Sequence, residues 1–270
     1  MLPQRLILIR HGESEGNLIV HNTRDDDDSL YDPKMKDAHT VSWRLSKKGI
    51  EQAQQAGEWL KENTFMNKAS PWNNNLVFRE FYVSDYVRAI ETAYELNLEN
   101  PHWNITPEVR ERMYGDIDFL YKKEEFDEIF KKNLDQREAS SFHWIPQNGE
   151  SISTVCERVA NFLHRILDNN INKDVIIVTH GEFIWAMRII LGEVTPKEYQ
   201  MLHITKLLYN CQVVEFSHII QDGTYSKVRH YVPSAPDYHN WEYQKIEQKL
   251  YSNQDLLNII NSYPRLITYQ

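Results

Sequence analysis

The sequence predicts an α/β protein whose largely parallel sheet carries helices on both faces. Three observations point there. Leu6-Ile7-Leu8-Ile9 and Val175-Ile176-Ile177-Val178 are unbroken apolar runs, as strands covered on both sides require. Between them lie apolar stripes at helical spacing. Capping residues mark the junctions.

The elements follow in order. The first run ends at Arg10, and His11 stands where that strand ends and a helix begins. Ser46 is an N-cap for a helix carrying Ile50, Ala53, Gly57 and Leu60 on one stripe. Residues 80–84 read as a second strand. Residues 86–96 read as a helix that turns Ala89, Ala93 and Leu96 inward. Ser151 opens a longer helix with Ile152, Val155, Val159, Phe162 and Ile166 on one face. The run at 175–178 stops at Thr179-His180-Gly181. Thr195-Pro196-Lys197-Glu198 is a capping box with proline at the first helical position. Residues 213–216 and 225–231 flank Asp222-Gly223 as a hairpin closing one sheet edge. No internal repeat or long linker divides the chain. The expectation is one domain over residues 1–270, with a C-terminal extension from about residue 232.

Composition narrows the partners. A hydrophobic fraction of 41% and an aromatic fraction of 12% suit a folded globule. The net charge of -9 disfavours nucleic acid or an anionic membrane surface. An anionic substrate would therefore need arginine and histidine gathered locally. Cys156 falls in a predicted helix and Cys211 in a predicted strand; both read as buried thiols, which suits a reducing compartment. The N-terminal apolar run is too short for a secretory leader and ends in Arg10. The expected location is cytoplasmic.

Ligands of such sheets sit outside the carboxyl ends of the strands. Three polar groups fall there: Arg10-His11, Ser84 with Arg88 one turn later, and His180-Gly181. Two histidines and two arginines on one rim make a site for a phosphate dianion, and the helix start behind His11 adds free N–H groups. A histidine held there can accept a phosphoryl group on a ring nitrogen, and the Gly12 carbonyl is the acceptor that would fix its tautomer. The plainer alternative is that each is a capping or surface histidine. Two such histidines at strand ends, each followed by glycine, argue against it.

These residues belong to a longer pattern. Arg10-His11-Gly12-Glu13-Ser14 with Asn17, Val83-Ser84 with Arg88-Ala89 and Glu91-Thr92, Arg110-Glu111-Arg112, Asn148-Gly149-Glu150-Ser151 and Val178-Thr179-His180-Gly181 occur in that order. The pattern resembles the histidine phosphatase superfamily, the phosphoglycerate-mutase-like group, over about residues 4 to 217. The resemblance implies a three-layer α/β/α sandwich and a covalent phosphohistidine intermediate. It makes His11 the nucleophile, with Arg10, Arg88 and His180 holding the phosphoryl group, and Glu111 the proton donor. Asn17, Ser14 and the Gly181 backbone N–H join them in binding substrate. It implies no metal and no cofactor.

Some residues depart from the mutases of that group. Asp85 stands where proline often follows the serine and is expected to pair with Arg88. Gly16, where those mutases carry tryptophan, precedes Asn17, and their proline-rich substrate segment is absent. The charged stretch 121–151 is similar to the broad phosphatase branch, whereas Arg112-Met113-Tyr114-Gly115 is similar to the mutases.

Asp25-Asp26-Asp27-Asp28 reads as a solvated loop that would repel highly anionic substrates from the rim, since adjacent carboxylates point apart. His21, His39, His143 and His203 read as surface or structural, and Trp43, Trp72, Trp103 and Trp144 as packing. Beyond Trp241, helical spacing of Ile246, Leu250, Leu257 and Ile260 fits packing on the domain or a homodimer interface.

The expected activity is a phosphomonoesterase of histidine acid phosphatase type, acting on a small phosphorylated metabolite. Two alternatives stay open: a cofactor-dependent phosphoglycerate or phosphosugar mutase, and a non-catalytic phosphate-binding regulatory protein.

Overall fold

A computed structural model describes residues 3–24, 39–62, 79–119, 141–167, 173–205, 208–219 and 225–232. The Asp25-Asp28 run, Trp72, most of 121–151, the Asp222-Gly223 turn and the C-terminal extension lie outside these residues.

Six strands form one sheet: β1 (Arg5–Arg10), β2 (Arg79–Ser84), β3 (Trp103–Thr106), β4 (Asp174–Thr179), β5 (Val213–Ile219) and β6 (Tyr225–Tyr231), in the order β3-β2-β4-β1-β5-β6. β1 and β2 both pair parallel to β4, and β3 pairs parallel to β2. β5 and β6 run antiparallel and close the other edge, as the hairpin signal predicts.

Alternation along the central strands sorts side chains into two cores. Leu6, Leu8, Val175 and Ile177 face one way, against helices α4 (Ile152–Leu167), α5 (Gly181–Ile190) and α6 (Pro196–Thr205). Ile7, Ile9, Ile176 and Val178 face the other, against α2 (Lys47–Leu60) and α3 (Val87–Glu95). Helix α1 (Glu15–Arg24) follows β1 directly. Leu6 to Ile9 are fully buried, each contributing about 1.5–3 kcal/mol of apolar transfer. The architecture is the expected three-layer sandwich.

Local signals hold at the helix starts. Ser46 Oγ accepts from Gly49 N at 3.0 Å, and Thr195 and Glu198 exchange the reciprocal bonds of a capping box. The predicted stripe of α4 is buried throughout. One expectation fails: Cys211 is not in a strand. It sits in the turn before β5 with φ +53°, where Asn210, Cys211 and Gln212 wrap back onto β1. Both cysteines are buried and unbridged, in different cores.

The register is what positions the site. Arg10 lies opposite Thr179, Val83 opposite Val178, and Ser84 opposite Thr106. All four parallel strands therefore end on one rim. Each delivers a segment to it: His11 after β1, Arg88 beyond β2, Glu111 beyond β3 and His180 after β4.

Candidate active site

His11 is the centre of the rim. It is only 2% exposed, and its Nδ1 lies 2.7 Å from the Gly12 carbonyl. That contact makes Nδ1 the donor, so Nε2 carries the lone pair, and Arg88 Nε donates to it at 3.1 Å. Burial holds the His11 ring well below the usual histidine range, and the cations Arg88 and Arg10 push the same way. The imidazole is neutral at pH 7, and its Nε2 lone pair is turned toward Arg88.

The backbone beneath it is tightly constrained. A Cβ on Gly12 would stand 2.4 Å from the Gly49 carbonyl, so the strand end and the start of α2 approach as only glycine permits. Gly12 N donates to Thr92 Oγ1 at 3.0 Å, and Thr92 Oγ1 donates to the Arg88 carbonyl at 2.6 Å. One threonine thus ties the nucleophile's loop to the helix that carries Arg88.

Arg88 is buried, and its Nη1 donates to the Thr40 carbonyl at 2.7 Å. Burial pulls its pKa down to about 10, which leaves it cationic at neutral pH. Arg10 donates through Nη1 to the Leu208 carbonyl, while its Nε is buried with no hydrogen bond to the protein. His180 is fully buried, with Nε2 2.8 Å from Ser84 Oγ and Nδ1 making no hydrogen bond to the protein. Its ring centroid stands 5.1 Å from that of His11. Burial and the neighbouring Arg88 keep it neutral as well.

Glu111 reaches the rim from the segment after β3. Its Oε1 accepts from Arg112 N at 2.9 Å and from Glu182 N at 3.1 Å, in the first turn of α5. Burial raises its pKa, and the nearby charge of Glu182 adds to this, against the pull of Arg88 and Arg10. A Cβ on Gly181 would lie 3.8 Å from Arg10 Nε and 3.9 Å from Glu111 Oε2. The start of α5 therefore opens directly between the guanidinium and the carboxyl.

Ser14 and Asn17 are close by, at the start of α1. Ser14 is buried and its Oγ receives Asn17 N at 3.3 Å, which caps the helix. Asn17 Oδ1 accepts from Ser14 N, Ser14 Oγ and Asn210 Nδ2, and Asn210 Nδ2 also donates to the His11 carbonyl. Asp85 does not pair with Arg88. It takes Arg110 instead, with Nε to Oδ1 at 2.5 Å, because Arg88 is turned inward onto His11 and Thr40.

Sequence reasoning gives no role to Tyr86, Asn210 or Glu182. The Tyr86 ring stacks edge-on to His180 and carries Arg88 at 4.8 Å and Arg110 at 5.8 Å from its centroid. Nothing local marks these residues, since an acidic group such as Glu182 is ordinary in a first helical turn. Among the described residues, His39 accepts from Val41 N, His203 stacks on Tyr199, and Trp103 packs edge-on to Phe81. The Trp43 ring occupies the space that a side chain at Gly16 would need, 1.9 Å from an ideal Cβ. Among the described residues, no group of three histidine, cysteine, aspartate or glutamate side chains is placed to hold a metal ion, and no helix is long and apolar enough to cross a membrane.

The family description "histidine phosphatase superfamily (branch 1)" matches residues 6–229. A phosphoglycerate mutase-like protein of Arabidopsis thaliana is 32% identical over 67% of this chain, and the match spans 55% of that longer protein. A 2,3-bisphosphoglycerate-dependent phosphoglycerate mutase of Bartonella henselae is 30% identical over 73% of this chain and 85% of its own. Phosphoserine phosphatase 1 of Hydrogenobacter thermophilus is 27% identical over 68% and 74%. Among solved structures, a mycobacterial glucosyl-3-phosphoglycerate phosphatase superposes with a TM-score of 0.58 at 19% identity, covering 85% of this chain and 98% of its own. That likeness is one of fold.

Proposed function

Since the chain belongs to the histidine phosphatase superfamily, branch 1, we propose that it is a phosphomonoesterase that hydrolyses a small phosphorylated metabolite through a phosphohistidine on His11. One observation carries the reading. Two buried polar groups, Arg10 Nε and His180 Nδ1, have no hydrogen-bond partner among the described residues, and they stand on the same rim as His11. Buried polar groups left unpaired cost about 1–3 kcal/mol each. A fold retains them where a ligand supplies the acceptor, and a phosphoryl group supplies three equatorial oxygens.

In the reaction, His11 Nε2 attacks phosphorus and the bond from phosphorus to the ester oxygen breaks. Arg10, Arg88, His180 and the amide of Asn17, oriented by the bonds to its oxygen, hold the equatorial oxygens, with the first N–H groups of α5 at Gly181 beside them. The departing alkoxide takes the proton from Glu111, whose buried carboxyl keeps it. Water then attacks the phosphohistidine and yields its proton to Glu111, releasing inorganic phosphate and restoring neutral His11. Ser14 acts by fixing Asn17.

A mutase is the second reading, favoured by the names of the Arabidopsis and Bartonella relatives. A mutase must shield its phosphohistidine from water until a second hydroxyl arrives. The Gly16–Trp43 contact gives this chain a different wall from a tryptophan preceding the asparagine. The test is incubation with 3-phosphoglycerate, with and without 2,3-bisphosphoglycerate, while 2-phosphoglycerate and free phosphate are both measured. Phosphate release without efficient isomerisation is expected. Efficient isomerisation with little phosphate release overturns the assignment.

A further inference from the structure

Behind Glu111 lies a second carboxylate that the reaction above does not use. Glu182 is the second residue of α5, and its backbone N–H is the donor that holds Glu111 Oε1. Its own side chain is clamped at both oxygens. Tyr114 OH donates to Oε1 at 3.0 Å and Tyr199 OH donates to Oε2 at 2.9 Å. The two tyrosines come from different parts of the fold, one three residues past Glu111 and the other from α6 on the far side of α5. Tyr199 is fully buried and stacks on His203. Burial and the Glu182 charge hold both phenols above their ordinary range, so both remain donors at any working pH.

We propose that Glu182, fixed by Tyr114 and Tyr199, is a positioning residue that keeps the proton donor Glu111 loaded. The inference rests on the phosphomonoesterase reading. The groups facing Glu111 are Arg10 from β1, Arg88 and Tyr86 from the start of α3, Tyr114 from its own segment, Arg158 from α4 and Glu182 from α5. The bond from Arg112 N and the charges of Arg88 and Arg10 favour loss of the Glu111 proton. Burial and Glu182 oppose them, and Tyr114 and Tyr199 hold the Glu182 carboxyl in a fixed orientation. A like charge held beside a buried carboxyl opposes the loss of its proton. The arrangement explains why a helix start, which ordinarily favours a carboxylate, here holds an acid.

The test compares an alkyl phosphate with p-nitrophenyl phosphate across pH in the full-length enzyme. Their rate ratio cancels titrations common to both substrates, and only the alkyl ester needs the proton. Glu182→Gln should move the alkaline limb of that ratio down by about one pH unit, while p-nitrophenyl phosphate hydrolysis changes by less than about twofold. Glu182→Asp, which keeps the charge, should return the limb toward its wild-type position. In a Glu111→Gln background, Glu182→Gln should have no further effect on the ratio. If Glu182→Gln is insoluble, combining it with Tyr199→Phe removes the hydroxyl left without an acceptor and carries the same test. An unmoved limb, or equal losses on both esters, overturns the proposal for Glu182. If Glu111→Gln itself spares the alkyl ester, the assignment of Glu111 as proton donor fails instead.

Discussion

Arg5 and Arg10 begin and end the same six-residue strand, and their surroundings differ in one respect that separates structure from function. Arg5 lies at the amino end of β1 and grips Asp174, its cross-strand partner, through two parallel bonds, with Nε to Oδ1 at 2.9 Å. That partnership raises its pKa despite burial. Arg10 lies at the carboxyl end, where its bond goes to the Leu208 carbonyl and its Nε meets no protein acceptor. Burial lowers its pKa, since the attraction of Glu111 does not compensate for desolvation. One arginine is neutralised by the fold. The other keeps a buried Nε that no described residue engages.

The contrast yields opposite outcomes for similar substitutions. Replacing Arg10 by methionine should lower kcat/KM by a factor of about 10² to 10³, the cost of losing one preorganised donor to transition-state charge. The same change should leave the thermal midpoint unchanged or higher, because it deletes a buried charge whose desolvation its contacts do not offset. Steady-state kinetics and calorimetry on one preparation check both halves. A fall in stability together with activity would place Arg10 among the structural arginines.

Arg5→Ala should do the reverse. It strands the Asp174 carboxylate, whose side chain is 1% exposed, and should cost about 3 kcal/mol in urea unfolding. The folded variant should turn over within about twofold of wild type, since Arg5 contacts nothing on the rim. A selective loss of turnover would show that the two ends of β1 are coupled.

How much of this was legible follows the same division. β1 and β4 are continuous apolar runs, so their carboxyl ends, and with them His11 and His180, can be placed from the residues alone. β3 cannot, because Trp103-Asn104-Ile105-Thr106 is four residues long with a half-buried start and two exposed positions. Glu111 follows that strand, which is why only the family pattern could bring it to the rim. The pairing of Asp85 with Arg110 rather than Arg88 joins the segments beyond β2 and β3, and sequence spacing carries no record of that crossing. Cys211 reads as strand from its sequence because its left-handed turn is made by packing on β1, with Cys211 N donating to the His11 carbonyl at 3.3 Å. The Glu182 clamp needs α6 folded against α5, and neither tyrosine announces it locally.

A smaller effect sharpens the comparison further. Inorganic phosphate should stabilise the wild-type protein, by about 2.7 kcal/mol at one hundred times its Kd. It should do so equally in the Arg5→Ala background and much less in the Arg10→Met background. Equal stabilisation of both variants would mean that phosphate binds elsewhere.

The most direct test is rapid quenching with ³²P-labelled phenyl phosphate, followed by peptide mapping. The account predicts an acid-labile, base-stable label on the peptide containing His11, absent from His11→Ala, with turnover of that variant reduced on the order of 10⁵-fold. Label on another residue, or turnover by His11→Ala near the wild-type rate, would contradict it.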